Sequence, residues 1–574
     1  LCEAKESGCP DRAERDLSGD AEGSAGSAGM RTFAKPGDRT GQRIESADIG
    51  RVSYDDRIES GLHYFGGTSG TIRRSMRKGV MKQKKRDVQD LKAHSSKIPR
   101  ILIAAPGSGS GKTAVTCALM AAFLREGIQV AACKCGPDYI DPMFHREVLG
   151  IPSENLDLFF CEKAVMRELF VRHSANADLI ITEGVMGYYD GLSLDSDAAS
   201  SYAVADALHM PVLFLVPCRG TALSIVPLLL GMLAFRKNSH IKGILLNRCS
   251  GMLYPRLKEM IERELFKHGY AIPVVGYIPE DPLFHLESRH LGLVLPEEIA
   301  AIRQQLFDAG ALLKTTVDLE QIRSIAESGA ASEWDQRREH VPDWGREEQI
   351  PVRIAVARDR AFCFYYEDNF RFLRELGCEL IPFSPLADDR LPEQIDGLLL
   401  GGGYPELYAE ALSENKGMRH SVREAIQNGL PCIAECGGFL YLHDSLEGKD
   451  QKQYEMAGVI QENGFAAGRL KRFGYIHLKA QRDSVFLKQG EELRGHEFHY
   501  WDSTDNGSDC LAVKPDGKRS WECVHIEGNL WAGFPHLHFY SNPEVAKRFV
   551  ELCRQRKHDV IDGEKNGAKA VGKE

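Results

Sequence analysis

The sequence predicts two consecutive α/β domains, each a mostly parallel sheet covered by helices. Three observations carry this. Apolar strand-like runs alternate with helical patterns from Ile101 to Ile278 and resume at Val352. A strand, a Gly-rich loop and a helix follow one another from Arg100 to Glu126. A second strand, a sharp turn and a helix fall between Leu430 and Phe439. In such sheets the functional loops leave the carboxyl ends of the strands.

The first domain should hold strands at 101–105, 130–135, 179–182, 212–216, 241–247 and 274–278, with helices at 114–126 and 222–235 among the connections. The second should hold strands at 352–357, 379–383 and 395–400 and a helix at 368–376. Its pattern becomes shorter and more β-like after Asn506. The expected boundaries are a disordered extension at 1–98, a first domain at 99–325, a linker at 326–350, a second domain at 351–556 and a charged tail at 557–574. The extension is rich in Gly, Ser, Ala and charge, and its upstream part reads as a mistaken translation of a chain starting at Met76 or Met81. A genuine disordered extension is the alternative.

Bulk properties narrow the function class. A chain of 574 residues with 43% hydrophobic content can bury ordinary globular cores. Its formal net charge of −10 gives no reason to expect nucleic acid. The 15 cysteines are scattered without paired CxxC spacing, so they read as reduced thiols in a cytoplasmic protein. No apolar run reaches the roughly 18–20 residues of a membrane span.

The motif APGSGSGKT at 105–113 is a P-loop in its proper context. Gly107, Gly109 and Gly111 let successive N–H groups turn around phosphate oxygens, and the following helix N-terminus adds positive potential. Lys112 would reach the β- and γ-phosphates, and the Thr113 hydroxyl would ligate Mg²⁺. Pro106 replaces the glycine common five residues before Gly111. KCGPDYIDP at 134–142 follows a strand at the same sheet edge. Its Lys134, Asp138 and Asp141 would steady phosphate charge or hold Mg²⁺. A turn whose aspartates cap backbone N–H groups is the alternative. EGVMGYYDG at 183–191 ends another strand. Glu183 resembles a Walker-B acid, and Asp190 sits on the adjoining loop, where a turn-capping role is the alternative.

The second domain carries a thiol chemistry. Cys436, in AECGG at 434–438, sits at a strand-to-helix elbow, where the helix N-terminus should lower its pKa. Cys432 reads as core. GGGYPE at 401–406 ends another strand. Its backbone N–H groups, from Gly402 and Gly403, would form an oxyanion hole with that of Gly437. FPHLHF at 534–539 would supply a general base.

Together, APGSGSGKT, KCGPDYIDP, EGVMGYYDG, SRHLGL at 288–293, GGGYPE, AECGG, GHEFHY at 495–500 and HLHF at 536–539 resemble the cobyrinic acid a,c-diamide synthase family, in order and from about Arg100 to Val550. The resemblance implies a P-loop NTPase parallel-sheet domain similar to dethiobiotin synthetase, followed by a class I glutamine amidotransferase-like, flavodoxin-like α/β domain. It implies ATP and Mg²⁺, L-glutamine and a corrinoid tetrapyrrole as substrates, and acyl phosphates on two acetate side chains as the route to amidation. Lys112 and Thr113 would serve ATP and Mg²⁺, and Asp138 and Glu183 would be metal-side acids. Tyr139, Asp141 and Asp190 fall where the family contacts substrate or intermediate. Cys436 would be the nucleophile and His536 its base. His538 stands where triad glutaminases carry glutamate, so the orienter of His536 is left unnamed, and Glu497 is unassigned. A homodimer is left open. Ni-sirohydrochlorin a,c-diamide synthase is a rival of similar architecture. A P-loop regulatory ATPase fused to an inactive glutaminase-like binding module is a rival of another class.

Overall fold

The computed structural model describes residues 98–286, 296–330 and 351–571. The expected extension up to residue 97, the SRHLGL motif and the linker's 331–350 lie outside the described residues.

Strands β1 (Arg100–Ala104), β2 (Val130–Cys135), β3 (Ser153–Leu156), β4 (Leu179–Glu183), β5 (Val212–Pro217), β6 (Ile241–Asn247) and β7 (Val274–Ile278) form one sheet in the order β3-β2-β4-β1-β5-β6-β7. All pairs are parallel. Helices cover both faces, which explains the nearly continuous apolar runs. The P-loop leaves the central strand β1, from which successive strands are added on both sides. β3 was not expected. It pairs only with β2 at the sheet edge, so its sequence, Ser-Glu-Asn-Leu, lacks an apolar run.

The helix after the P-loop spans Lys112–Arg125, two residues earlier than its apolar pattern begins. It packs closely on helix Pro296–Thr316: a Cβ on Gly310 would stand 2.8 Å from the Ala122 nitrogen. Helix Leu319–Ala330 buries Leu319, Ile322, Ile325 and Ala326, so helix continues five residues into the stretch expected as linker. Those positions share one face at helical spacing, and the nearby Ser and Gly residues masked it.

In the second domain, β8 (Val352–Ala357), β9 (Phe362–Phe364), β10 (Cys378–Phe383), β11 (Gly397–Leu400), β12 (Gly402–Gly403) and β13 (Cys432–Glu435) precede a long β-rich region. That region holds β14 (His443–Glu447), β15 (Gln453–Glu455), β16 (Ile460–Ala466), β17 (Arg472–Ala480), β18 (Glu492–His499), β19 (Trp501–Ser503), β20 (Cys510–Val513), β21 (Ser520–Cys523), β22 (His525–Glu527), β23 (Leu530–Gly533) and β24 (His536–Leu537). The central sheet runs β10-β8-β11-β13-β23-β22, parallel except for the antiparallel β22–β23 pair. β-structure therefore dominates from His443, well before Asn506. Strands such as β16, Ile-Gln-Glu-Asn-Gly-Phe-Ala, are half exposed and carry charge, which hid them. The last helix, Pro543–Val571, runs through the expected charged tail.

One buried apolar cluster includes residues of both domains, among them Tyr139, Phe159 and Phe160 of the first and Tyr366, Leu537 and Phe539 of the second.

Candidate active site

The P-loop has the backbone a phosphate cradle needs. Gly109 and Gly111 adopt φ of 73° and 84°, which favour glycine. No atom lies within 4 Å of where a Cβ on Gly107 or Gly109 would sit, so the loop's inner wall is open. Ser110 bonds the Gly107 carbonyl at 2.8 Å, and Asn247, at the end of β6, donates to the Ser110 carbonyl at 2.8 Å. Asn247 was not singled out in the sequence. It also lines a cleft of about 420 Å³ beside the loop, with Gly111, Val115, Arg248 and Phe284. Lys112 donates to the carbonyls of Gly107 (3.1 Å) and Met186 (2.5 Å), joining the P-loop to the Glu183 loop. Burial, and then the nearby charge of Lys134, lower its pKa to about 8.

The acids gather around Lys134. Its ammonium lies 2.7 Å from Asp141 and 2.8 Å from Glu183, and all three side chains are buried. Burial alone would lower the Lys134 pKa, but Asp141 and Glu183 outweigh it and raise it. Lys134 therefore pairs with the carboxylates of its own site. Thr113 donates to Glu183 Oε1 at 2.5 Å. Burial and Asp141 would raise the Glu183 pKa, yet Lys134 and His145 hold it below the usual range. Glu183 Oε2 is buried without a hydrogen-bond partner, 3.7 Å from His145 Nε2. That orphaned oxygen beside the Thr113 hydroxyl fits a hard cation. Among the described residues no group of three His, Cys, Asp or Glu side chains could hold a metal ion. Mg²⁺ sites commonly use one or two carboxylates plus substrate phosphates. Asp138 accepts from the Ile140 N–H at 2.9 Å, and burial, then Asp141, push its pKa up to about 7. Asp190 accepts from the Gly187 N–H at 2.9 Å, the turn-capping role weighed for it.

The second site is organised by its elbow. Cys436 has φ 49° and ψ −101°, a strained conformation for a residue with a side chain. Its N–H donates to the Gly533 carbonyl at 2.8 Å, so it sits beside the chain segment leading to His536. The GGGYPE loop lies against both: a side chain on Gly402 would collide with the His536 ring, and one on Gly437 would stand 3.0 Å from the Gly403 nitrogen. The Gly401 N–H is taken by the Tyr365 hydroxyl at 2.9 Å, which leaves Gly402 and Gly403 as the loop's candidates for the oxyanion hole.

The expected lowering of the Cys436 pKa is not found. Burial, and then the carboxylate of Glu406, raise it, with Glu497 and Glu435 adding to the effect. The helix behind it, Gly437–Tyr441, is too short to offset three acids. Glu435, immediately before the nucleophile, places Oε2 3.7 Å from His536 Nδ1 and Oε1 3.3 Å from the Leu537 nitrogen. It stands beside the imidazole whose orienter the sequence left unnamed, at more than hydrogen-bond distance, and His536 Nδ1 is buried without a hydrogen-bond partner. His538 is turned away, 3.8 Å from Cys161 Sγ and 4.0 Å from Asp368, and burial pushes its pKa down to about 3. Glu497 is buried, accepts from Trp521 Nε1 at 3.2 Å and lies 3.5 Å from His499 Nε2.

The two sites meet at Tyr139. This residue was expected to touch substrate, but it is 9% exposed and its ring is enclosed by the second domain. Ring centroids lie 4.4 Å from Tyr366, 5.4 Å from Phe364 and 5.0 Å from His536. Helix Glu367–Glu375 fixes the junction. Just ahead of it, Tyr366 donates to the Pro137 carbonyl at 3.1 Å. Within it, Asn369 bonds Leu537 O and Phe539 N, each at 2.8 Å, and Arg371 pairs with Glu154 of β3.

Residues 101–294 match the CobQ/CobB/MinD/ParA nucleotide binding domain, and residues 353–544 match the CobB/CobQ-like glutamine amidotransferase domain. Fold and sites thus define a P-loop nucleotide-binding domain joined to a glutamine amidotransferase. The cobyrinate a,c-diamide synthase of Caldanaerobacter subterraneus subsp. tengcongensis is 36% identical over 455 residues, covering 79% of this chain and 98% of that protein. That of Listeria innocua serovar 6a is 38% identical over 452 residues, covering 78% and 97%. That of Priestia megaterium is 36% identical over 465 residues, covering 81% and 99%. The chain belongs to the cobyrinate a,c-diamide synthase family, which are glutamine-dependent amidating ligases. Among the described residues no helix is long and apolar enough to cross a membrane.

Proposed function

We propose that this chain amidates the a- and c-acetate carboxylates of cobyrinic acid, with glutamine as nitrogen donor and ATP as activator. The observation that carries the reading is the junction at Tyr139, where the loop bearing Asp138 and Asp141 packs against the glutaminase histidine.

In the first domain the Gly107–Gly111 backbone and Lys112 would hold the triphosphate. Thr113 and Glu183 would hold Mg²⁺ together with phosphate oxygens, and Asp138 faces the same space. The ion, when bound, neutralises charge on the transferring phosphoryl group. Lys134 keeps Asp141 and Glu183 ionised and in place. The substrate carboxylate takes the γ-phosphoryl group and ADP leaves, which turns a poor electrophile into one with a leaving group.

In the second domain Cys436 Sγ attacks the glutamine carboxamide carbon and its proton passes to His536. The oxyanion is received by the N–H groups of Gly403 and Gly437, with Gly402 flanking them. Ammonia leaves with the proton from His536, and water then hydrolyses the thioester. Because burial disfavours a resting thiolate at Cys436, proton transfer to His536 accompanies attack. Ammonia displaces phosphate from the acyl phosphate in the first domain.

The test is turnover with ATP, Mg²⁺, glutamine and cobyrinic acid, followed by product mass. Two amides should be gained, none in Lys112→Ala, and in Cys436→Ala only with added ammonia. Consumption of ATP and glutamine without amidated cobyrinate would overturn the substrate and direct the assay to hydrogenobyrinic acid and Ni-sirohydrochlorin.

A further inference from the structure

The GHEFHY stretch takes no part in the chemistry above, yet it builds an unusual surface. β17 and β18 pair antiparallel, with Phe473 opposite Phe498 and Tyr475 opposite His496. These residues alternate onto one face. Phe473 is 60% exposed, Phe498 41% and, just beyond β18, Tyr500 48%. Their rings touch in series: Phe473–Phe498 at 5.7 Å and Phe498–Tyr500 at 5.6 Å. Clustered exposed aromatics mark ligand or partner surfaces.

The row is continuous with the first domain's site. Tyr475 donates to Asp157 at 2.7 Å, and a Cβ on Gly136, in the loop bearing Asp138 and Asp141, would lie 3.6 Å from the Tyr475 hydroxyl. Between the row and the glutaminase, His496 contacts both Phe473 and Tyr475 at 5.9 Å and pairs across the sheet with His536. His496 is 8% exposed, and its Nδ1 has no hydrogen-bond partner. A cation borders the row: Lys514 bonds the Phe473 carbonyl at 2.6 Å.

Size separates the occupants. An aromatic side chain offers roughly 150–250 Å², so three half-exposed rings give about 300 Å². A stable protein interface buries about 1,000 Å² or more in total, about 500 Å² on each partner. A flat conjugated ligand with carboxylates at its edge matches both the area and the bordering Lys514.

We propose that Phe473, Phe498 and Tyr500, continued by Tyr475 to the Gly136 loop, carry the face of the tetrapyrrole macrocycle, with a peripheral carboxylate toward Lys514. This rests on the substrate reading above. It makes the glutaminase domain one wall of the macrocycle site, with an acetate reaching the first domain.

The test is equilibrium dialysis of the full chain with cobyrinic acid, read by corrin absorption. Phe498→Ala should weaken binding about tenfold, while Phe498→Trp stays within about twofold of wild type. ATP binding and basal glutaminase should be unchanged in both. Wild-type affinity in Phe498→Ala and in Tyr500→Ala would overturn the inference alone. So would unchanged affinity with a halved sedimentation mass, which would assign the row to an interface between copies. No macrocycle binding by wild type would overturn the substrate reading and the inference together.

Discussion

The Tyr139 ring of the first domain lies 5.0 Å from the His536 ring of the second, centroid to centroid. The four residues Asp138 to Asp141 thus lie between two sites: Asp141 pairs with Lys134 beside Glu183, while Tyr139 abuts His536. A shift of this loop on binding ATP or substrate would reach His536 by direct contact.

Tyr139→Ala should therefore uncouple the domains. Glutamate formed per ADP formed, measured in one reaction, should change by about tenfold or more, because small misplacements of a catalytic group are costly. Tyr139→Phe keeps the ring and should keep the ratio. An unchanged ratio in Tyr139→Ala would show that the contact is only packing.

Glu435→Gln tests the orienter of His536. Glutamine-dependent turnover should fall roughly a hundredfold, within the range general-base positioning supplies, while ammonia-dependent amidation persists. Loss of both activities would instead point to a folding defect. Full glutaminase activity would remove Glu435 from the account.

Lys134→Met leaves Asp141 and Glu183 buried without their shared counter-ion. Urea unfolding should show a loss of about 3–5 kcal/mol. Lys112→Met, whose ammonium bonds carbonyls and leaves no carboxylate stranded, should lose much less. Equal losses would contradict the assignment of Lys134 to the acids.

Asp157 supplies a pH test away from the catalytic groups. Burial raises its pKa to about 6 from 3.8, although Tyr475 and the N–H groups of Phe159 and Phe160 bond it. A raised carboxyl pKa means the folded state resists ionisation. The cost is absent below about pH 4, grows between pH 4 and 6 and is constant above. Asp157→Asn should gain on wild type across that window, by at most about 3 kcal/mol, and hold the gain at higher pH. A difference independent of pH would mean that the Asp157 pKa is the same in the folded and unfolded states.

Both engines were legible in the sequence because each rests on local pattern. The P-loop needs a strand, glycines and Gly111-Lys112-Thr113 in succession, and the elbow needs Ala434 to Gly438. What brings distant segments together was not legible. Asn247 under the P-loop, His145 beside Glu183 and Arg371 on Glu154 have no local signature. Glu435 lay inside a quoted motif, yet only the β13–β23 register shows it near His536. Tyr139 was read as a substrate contact from the family resemblance of its motif, and nothing in the sequence shows that the second domain covers it. The lowering expected at Cys436 fails for the same reason, since its burial and, after that, the approach of Glu406 and Glu497 arise only through the fold.

The central claim is that nitrogen released at Cys436 is used in the first domain of the same chain. Amide-¹⁵N glutamine supplied with ATP, Mg²⁺, cobyrinic acid and an excess of unlabelled ammonium tests it directly, with product read by mass. The account predicts ¹⁵N in both new amides despite the unlabelled pool. Product labelled only to the level of the bulk ammonium would contradict it.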